Sequence, residues 1–412
     1  MRVLISTTGY PRHVLPLVPF AYAMLSAGHE VCVAAPGSHG AFVRDAGLKF
    51  IGCGSPPADE IGRILARAAS LPRERGDALI ICEAFGRVGT RAMLADLLQI
   101  TGAWRPDIVI RESQEFAPLL AAEHHGIPHA RVGLGLARTE AQTIAFAAPA
   151  IDQLGMELKL PADPGGERIH GAPYLTLVPG RLDGTPAARA PAPLRFRDAR
   201  PERLESLEWA ARGDRPLVYL TFGSVAASLG FYPDLYRHAI DALAELPIRL
   251  LVTVGPQSDP AALAPLPAHV RVERWLPQAT VLPHVAAVVC HGGYGTSLGA
   301  LAAGVPLVLM PLFAGDQWQL ASRIGEIGAG ILLEEEPRTP RTTFAPPSSD
   351  TIAGLPGAVS DVLNDPGYRG AAATIADAIG RLPPIEAAAD FLRAHAEQAS
   401  AVNRTATHRR SQ

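Results

Sequence analysis

Lysine is almost missing from this 412-residue sequence, standing only at positions 49 and 159. We read that shortage as genomic base composition rather than chemistry. Arginine carries the positive charge, and Lys plus Arg (37) fall short of Asp plus Glu (40), leaving a formal net charge of −3. No basic field is present to gather nucleic acid. Cysteine is scarce as well. The four residues Cys32, Cys53, Cys82 and Cys290 form no C-x-x-C pair, which argues against a zinc ribbon or a disulfide framework and fits a reducing cytoplasm. No apolar run approaches the roughly 18 residues of a membrane span. The opening Met1-Arg-Val-Leu-Ile-Ser6 is too short for a secretory signal and reads as a first strand. The first loop lacks Gly-x-Gly-x-x-Gly, which disfavours a nicotinamide dinucleotide site. No Asp-x-Asp pair is available to hold a divalent ion against a diphosphate. The expectation is a cytoplasmic protein with no metal site, no membrane span and no nucleic-acid partner.

Apolar residues make up 48% and charged residues 19% of the chain, ordinary for a globular protein, and the length implies two domains. Short apolar runs alternate with helix-like segments. Arg2–Thr7, Glu30–Ala35, Asp107–Ile110 and His129–Val132 are strand candidates before residue 200. His13–Ala27 and Glu115–His125 are helices among them. After residue 200 come Leu217–Phe222, Arg249–Val254, Val270–Glu273, Val285–Cys290 and Leu307–Met310. Such alternation predicts parallel sheets covered on both faces. Pro186, Pro191, Pro193 and Pro201 punctuate residues 183–201, which read as a linker or long loop. The predicted division is 1–200, 201–384, and a last helix with a frayed tail over 385–412. Two such units in series place a cleft between them, with ligands at the carboxyl ends of the strands. His124 and His125 follow the helix pattern, and Glu334-Glu-Glu336 reads as a solvated strand exit.

The most informative segment is Cys290-His-Gly-Gly-Tyr-Gly-Thr-Ser297, at a strand-to-helix junction. Gly293 and Gly295 allow close approach of the backbone to a ligand. A helix start offers unpaired N–H groups to an anion. His291, Thr296 and Ser297 add donors, so the segment looks built to hold a diphosphate. Thr221-Phe-Gly-Ser224 also ends a strand, and Ser224 offers a further phosphate donor. Trp275, in Trp275-Leu-Pro-Gln278, has a ring suited to stacking on a base, or to the core. Asp316 and Gln317 pair an acceptor with a donor suited to sugar hydroxyls. Asp316 is equally placed to cap a helix.

His13 falls at the carboxyl end of the first strand, where a histidine suits general-base work. Glu112 ends the strand Ile108–Ile110, and a carboxylate bonded to imidazole fixes its tautomer. Glu115 is a rival for that bond.

Taken in order, His13-Val-Leu-Pro-Leu, Gly28-His-Glu-Val31, Phe222-Gly-Ser224, Trp275-Leu-Pro-Gln278, His291-Gly-Gly-Tyr-Gly-Thr296, Ala303-Gly-Val-Pro306 and Asp316-Gln317 resemble a family 1 glycosyltransferase with the GT-B fold. The resemblance is closest to bacterial enzymes that attach deoxysugars to natural products. It implies an α/β architecture of two Rossmann-like doubly wound parallel-sheet domains facing a cleft, with the last helix returning to the first domain. It also implies an inverting, metal-independent transfer from a nucleoside-diphosphate sugar to a hydroxyl of a hydrophobic aglycone such as a polyketide, with no cofactor beyond that co-substrate.

The same resemblance implies roles. His13 is the base and Glu112 its partner, where the family usually has aspartate. Trp275 and Gln278 bind the base. Ser224, His291, Gly293, Gly295 and Thr296 hold the diphosphate, and Asp316 with Gln317 reads the sugar. The acceptor lies on the variable segments 55–100 and 133–160, where Phe85, Leu134, Ile144 and Phe146 are apolar candidates. One departure stands out. Plant relatives carry a ribose-binding glutamate three residues beyond the Thr296 position, and this chain has Gly299. A donor without a 2′-hydroxyl loses least by that, so a dTDP-sugar is expected. The alternatives are a UDP-sugar transferase or an epimerase of the same fold, or a non-catalytic auxiliary partner. Monomer and homodimer stay open.

Overall fold

The computed structural model describes residues 1–8, 11–184, 192–198, 209, 213–333, 342 and 344–410. Gly9, Pro186, Pro191, Pro201 and Glu334–Glu336 lie outside the described residues. Two all-parallel sheets organise the chain. The first contains β1 (Arg2–Ser6), β2 (Glu30–Pro36), β3 (Lys49–Cys53), β4 (Ile108–Glu112), β5 (His129–Val132), β6 (Tyr174–Thr176) and β7 (Leu194–Arg195). Its order is β3-β2-β1-β4-β5-β6-β7. The second contains β8 (Leu217–Thr221), β9 (Arg249–Thr253), β10 (Val270–Glu273), β11 (Ala287–Cys290), β12 (Leu307–Leu309) and β13 (Gly330–Leu332). Its order is β10-β9-β8-β11-β12-β13.

Each sheet is filled from the middle outward in both directions. Ile5 of β1 pairs with Val33 on one side and Ile110 on the other. Tyr219 of β8 pairs likewise with Leu251 and Val288. Central strands are buried almost throughout, which is why they read as unbroken apolar runs instead of alternating ones.

Helices cover both faces of each sheet, and one of them crosses between domains. The last helix, Glu386–Arg410, follows a chain that has just completed the second sheet. Ile385, Ala388, Ala389, Leu392 and Ala396 nonetheless pack into the first sheet's core with Val3, Ile5, Phe20 and Met24. Their spacing of three and four residues makes one apolar stripe, and the first sheet supplies its partner.

Several expectations change. The stretch from 183 to 201 is not wholly linker. Leu194 and Arg195 pair in parallel with β6, Phe196 is buried, and Arg195 bonds Asp183 at 2.5 Å. The helix expected over His13–Ala27 breaks into Pro11–Val14, a tight turn at Leu15–Leu17, and Val18–Ser26, since Pro16 and Pro19 supply no N–H to a continuous ladder. Strands β3, β6, β7 and β13 carry no strong apolar run, being short or at a sheet edge.

Among the described residues, no helix is long and apolar enough to cross a membrane. Among those same residues, no group of three or more His, Cys, Asp or Glu side chains is placed to hold a metal ion.

Candidate active site

In a doubly wound sheet the strand order reverses at one point, and the two loops leaving there diverge to open a crevice. In the first sheet that point lies between β1 and β4, and in the second between β8 and β11. The chain puts His13 just beyond β1 and Glu112 at the end of β4. It puts Ser224 just beyond β8 and His291 just beyond β11. Four of the predicted site residues thus sit at the two reversal points.

His13 lies in the one-turn helix Pro11–Val14. Its Nδ1 is 3.0 Å from Glu112 Oε1, with the two side chains 1% and 0% exposed. A carboxylate only accepts, so Nδ1–H donates and Nε2 becomes the basic nitrogen. Glu112 Oε2 accepts the Gln114 N–H at 2.6 Å, which holds the carboxylate plane. The longer glutamate therefore reaches. Glu115 does something else: its Oε1 accepts the Ala117 N–H at 3.0 Å. Burial, then the Glu112 charge, pushes its carboxyl up to about 8. On the other side the Phe85 ring stacks on the His13 imidazole, centroids 5.6 Å apart and planes 18° apart.

Phe85 belongs to a ten-residue π-helical stretch, Ile80–Gly89, that joins Arg73–Leu79 to Thr90–Trp104. π-helical turns are rare and gather at functional sites. The other acceptor candidates divide. Ile144 is buried among Phe116, Leu119 and Ile151, so its side chain serves the core. Leu134 and Phe146 are half-buried, and Leu134 N–H donates to Glu140 Oε1 at 2.9 Å.

A buried charge network behind the His13–Glu112 pair escaped sequence reasoning. Arg111 and Arg131 are register partners on β4 and β5, and both are fully buried. Arg111 Nη1 donates to the carbonyls of Glu112, Ser113 and Glu115 at 3.1–3.2 Å, shaping the turn that follows Glu112. Arg131 Nη1 bonds Glu140 Oε2 at 3.2 Å. Burial, then Arg131, lowers Arg111 to about 10. The available signal was an arginine within each of two neighbouring strands.

At the second reversal point, His291 lies between two backbones. Gly223 has φ 76°, and a Cβ there would fall 2.7 Å from His291 Cε1. A Cβ on Gly293 would collide with His291 Nε2. Both positions thus require glycine. The His291 ring also stacks on Phe313, centroids 6.0 Å apart. Thr296, in the first turn of the helix Tyr294–Ala302, accepts from Gln278 Nε2 at 2.9 Å. Ser224 and Gly295 are exposed at the mouth. Ser297 corrects an expectation: it is fully buried, 3.9 Å from Cys290 Sγ, and faces the core.

Trp275 is 62% exposed, so its ring is a surface feature and not core. A Cβ on Gly299 would point toward Gln278 Oε1, 3.9 Å away. The glycine therefore leaves room beside Gln278. Asp316 does not cap its helix; Ala314 holds the cap position of Gly315–Glu326, with no side-chain bond. Gln317 is fully buried. Its Oε1 accepts the N–H groups of Leu312 and Phe313 at 2.9 and 3.2 Å. Only its amide nitrogen has no protein partner among the described residues.

The two halves meet beside these last residues. A Cβ on Gly315 would strike Asp77 Oδ2 from the first half. Arg73 lies over the Trp318 ring at 4.2 Å. Thr139 donates to Gln319 Oε1 at 2.6 Å, and Gln319 bonds Gln142. Burial, then the Asp316 charge, pushes Asp77 up to about 7.

Two doubly wound sheets with paired reversal points are the GT-B architecture, and a solved structure agrees. Spinosyn rhamnosyltransferase SpnG gives a TM-score of 0.74 at 24% identity, covering 95% of this chain and 99% of its own. At that identity the likeness carries the fold. Elloramycin glycosyltransferase ElmGT of Streptomyces olivaceus is 29% identical, over 94% of this chain and 96% of its own. TDP-daunosamine transferase DnrS of Streptomyces peucetius is 28% identical, over 93% and 94%. Family models described as the N-terminal and C-terminal domains of erythromycin biosynthesis protein CIII-like match residues 22–191 and 237–393. The chain belongs to this EryCIII-like family of bacterial natural-product glycosyltransferases.

Proposed function

We propose that the enzyme moves a deoxysugar from a thymidine-diphosphate donor to a hydroxyl of an apolar natural-product acceptor, with inversion and without a metal ion. The observation that carries this reading is the buried His13–Glu112 bond of 3.0 Å at one reversal point, matched by the glycine-flanked His291 and Thr296 at the other. Glu112 holds the imidazole so that Nε2 takes the acceptor's proton. The freed oxygen attacks the anomeric carbon as the bond to the diphosphate breaks. Negative charge grows on the leaving phosphate, where the N–H groups of the helix start, His291 and Thr296 act as preorganised donors.

Thymidine over uridine is supported by Gly299 beside Gln278 and by a relative named as a TDP-sugar transferase. An apolar acceptor is supported by Phe85, half-buried and stacked on His13. The test is thermal stabilisation by thymidine diphosphate, uridine diphosphate and NAD, since a ligand of the folded state raises stability with its concentration. Release of thymidine diphosphate from an activated sugar is then measured with and without polyketide acceptors, and with chelator. We expect the largest stabilisation by thymidine diphosphate and acceptor-dependent release that survives chelation. Tighter binding of uridine diphosphate, or loss of activity on chelation, sinks the corresponding part.

A further inference from the structure

The chemistry above leaves one buried cation unused. Arg111, on β4, is fully buried, and a guanidinium out of water is costly unless its donors are bonded. Its Nε and Nη2 make no hydrogen bond among the described residues. Its Nη1 donates to the carbonyls of Glu112, Ser113 and Glu115 at 3.2, 3.1 and 3.1 Å. The hydrogen bonds of this side chain thus all go to one turn. That turn is held from a second side, where Ser113 Oγ donates to Glu140 Oε1 at 3.0 Å. Successive side chains of a strand point to opposite faces, so Arg111 and Glu112 lie on opposite sides of β4. The peptide between Ser113 and Gln114 joins the two. Its carbonyl oxygen belongs to Ser113 and accepts from Arg111 Nη1. Its N–H belongs to Gln114 and donates to Glu112 Oε2 at 2.6 Å. A trans peptide is planar, with carbonyl and N–H pointing opposite ways, so holding one end sets the direction of the other. Glu112 Oε1 is then left to face His13 Nδ1 at 3.0 Å.

We infer that Arg111 is a positioning residue for the His13 base, acting through the Ser113–Gln114 peptide on Glu112. The role rests on the proposed function, in which His13 takes the acceptor's proton. Without the cation the peptide is free to turn over. That turn would carry the Gln114 N–H away and bring the Ser113 carbonyl toward the carboxylate. Oxygen facing oxygen is repulsive, so the Glu112 plane would rotate and release Nδ1. A cation on the carbonyl also polarises the peptide and strengthens its N–H as a donor. Arg111 touches no substrate; it sets which way the Glu112 carboxylate faces.

Arg111→Met keeps an unbranched stem and removes the donors. A proton shared between a buried imidazole and a carboxylate resonates far downfield in the proton spectrum, and His13→Ala identifies it by its loss. Spectra of the full chain are recorded for wild type, Arg111→Met and Arg111→Lys, with steady-state rates and thymidine diphosphate titrations on the same preparations. In Arg111→Met the downfield proton is expected to exchange with water about tenfold faster. Its kcat should fall about tenfold, the scale of one lost hydrogen bond to a charged group. Thymidine diphosphate affinity should stay within about twofold. In a Glu112→Gln background the same substitution should lower kcat no further. A wild-type resonance in folded Arg111→Met, an equal loss of kcat and nucleotide affinity, or full additivity with Glu112→Gln overturns the role. Arg111→Lys keeps the charge, but its nitrogen ends one bond short of Nη1. It decides the matter if Arg111→Met does not fold, and a wild-type resonance there overturns the role equally. Wild type that shows the resonance yet transfers no sugar refutes the proposed function, while the response of the resonance to Arg111 still decides the positioning role.

Discussion

His13 shows how much one contact can concentrate. The residue is buried between a carboxylate and an aromatic ring, so a substitution there removes the proposed base and little of the surrounding framework. His13→Ala is expected to lower turnover on the order of a hundredfold or more while thymidine diphosphate affinity stays unchanged. Steady-state rates and a binding titration on the same preparation check this, and lost nucleotide affinity with normal turnover contradicts it. Gly299 allows the opposite experiment, a gain. Gly299→Glu restores the carboxylate that plant relatives use on ribose, and it should shift the ratio of uridine to thymidine diphosphate affinity upward by about tenfold. The Leu282 side chain, 3.3 Å from the added Cβ, must give slightly. At this scale the sequence was legible for side chains that sit just past a strand, because position after an apolar run locates the side chain. His13, Glu112, His291 and Thr296 were all readable that way. Ser297 and Ile144 were not, since which face of a helix turns inward depends on partners distant in sequence. The cap role allowed to Asp316 failed for a similar reason: the helix begins two residues earlier than its side chain needs.

Among elements, β4 and its turn have the most consequence. The strand ends in Arg111-Glu112, and Arg111 draws three carbonyls of the following turn onto one guanidinium nitrogen. Glu115 in that turn has its carboxyl pushed up to about 8, from an ordinary 4.5. A carboxyl with a raised folded value contributes its stability fully below about 4.5 and loses it as pH rises through about 8. Glu115→Gln should therefore flatten part of the fall in stability between pH 5 and 8. Urea midpoints of wild type and variant across that window measure it, and parallel curves refute the assignment. Elements with strong apolar runs, β1, β2, β4, β8, β9, β11 and β12, were legible from the order of their residues alone. The edge strands β3 and β13 and the two-residue β7 were not. Their pairing is set by a neighbour already in place, and a short half-exposed strand carries too little period of its own. The π-helical stretch at Phe85 was equally hidden, because it depends on backbone register and not on composition.

For the molecule as a whole, the cleft is bridged beside Asp316 and Gln317. Asp77 of one half faces Gly315 and Asp316 of the other, with Arg73 and Glu74 nearby. Its carboxyl is pushed from 3.8 up to about 7, so the bridge is strongest at acid pH and weakens as pH rises through about 7. Asp77→Asn keeps a carbonyl acceptor and removes the charge. Proteolysis between the halves should quicken above pH 7 in wild type and much less in the variant. An identical pH response in both would dismiss the bridge. The two-domain plan was legible in the repeated alternation of strand and helix. The bridge was not, since Asp77 lies more than two hundred residues from Asp316.

The last helix has a consequence for how the chain is made. Ile385, Ala388, Ala389, Leu392 and Ala396 complete a core whose other members are within the first two hundred residues. On a ribosome, the first sheet's domain must therefore wait, with part of its apolar face uncovered, until the residues through Ala396 have been synthesised. The second sheet's core in turn closes on Leu355, Val359 and Val362 and on Ala372 and Ile375, which leave just ahead of that helix.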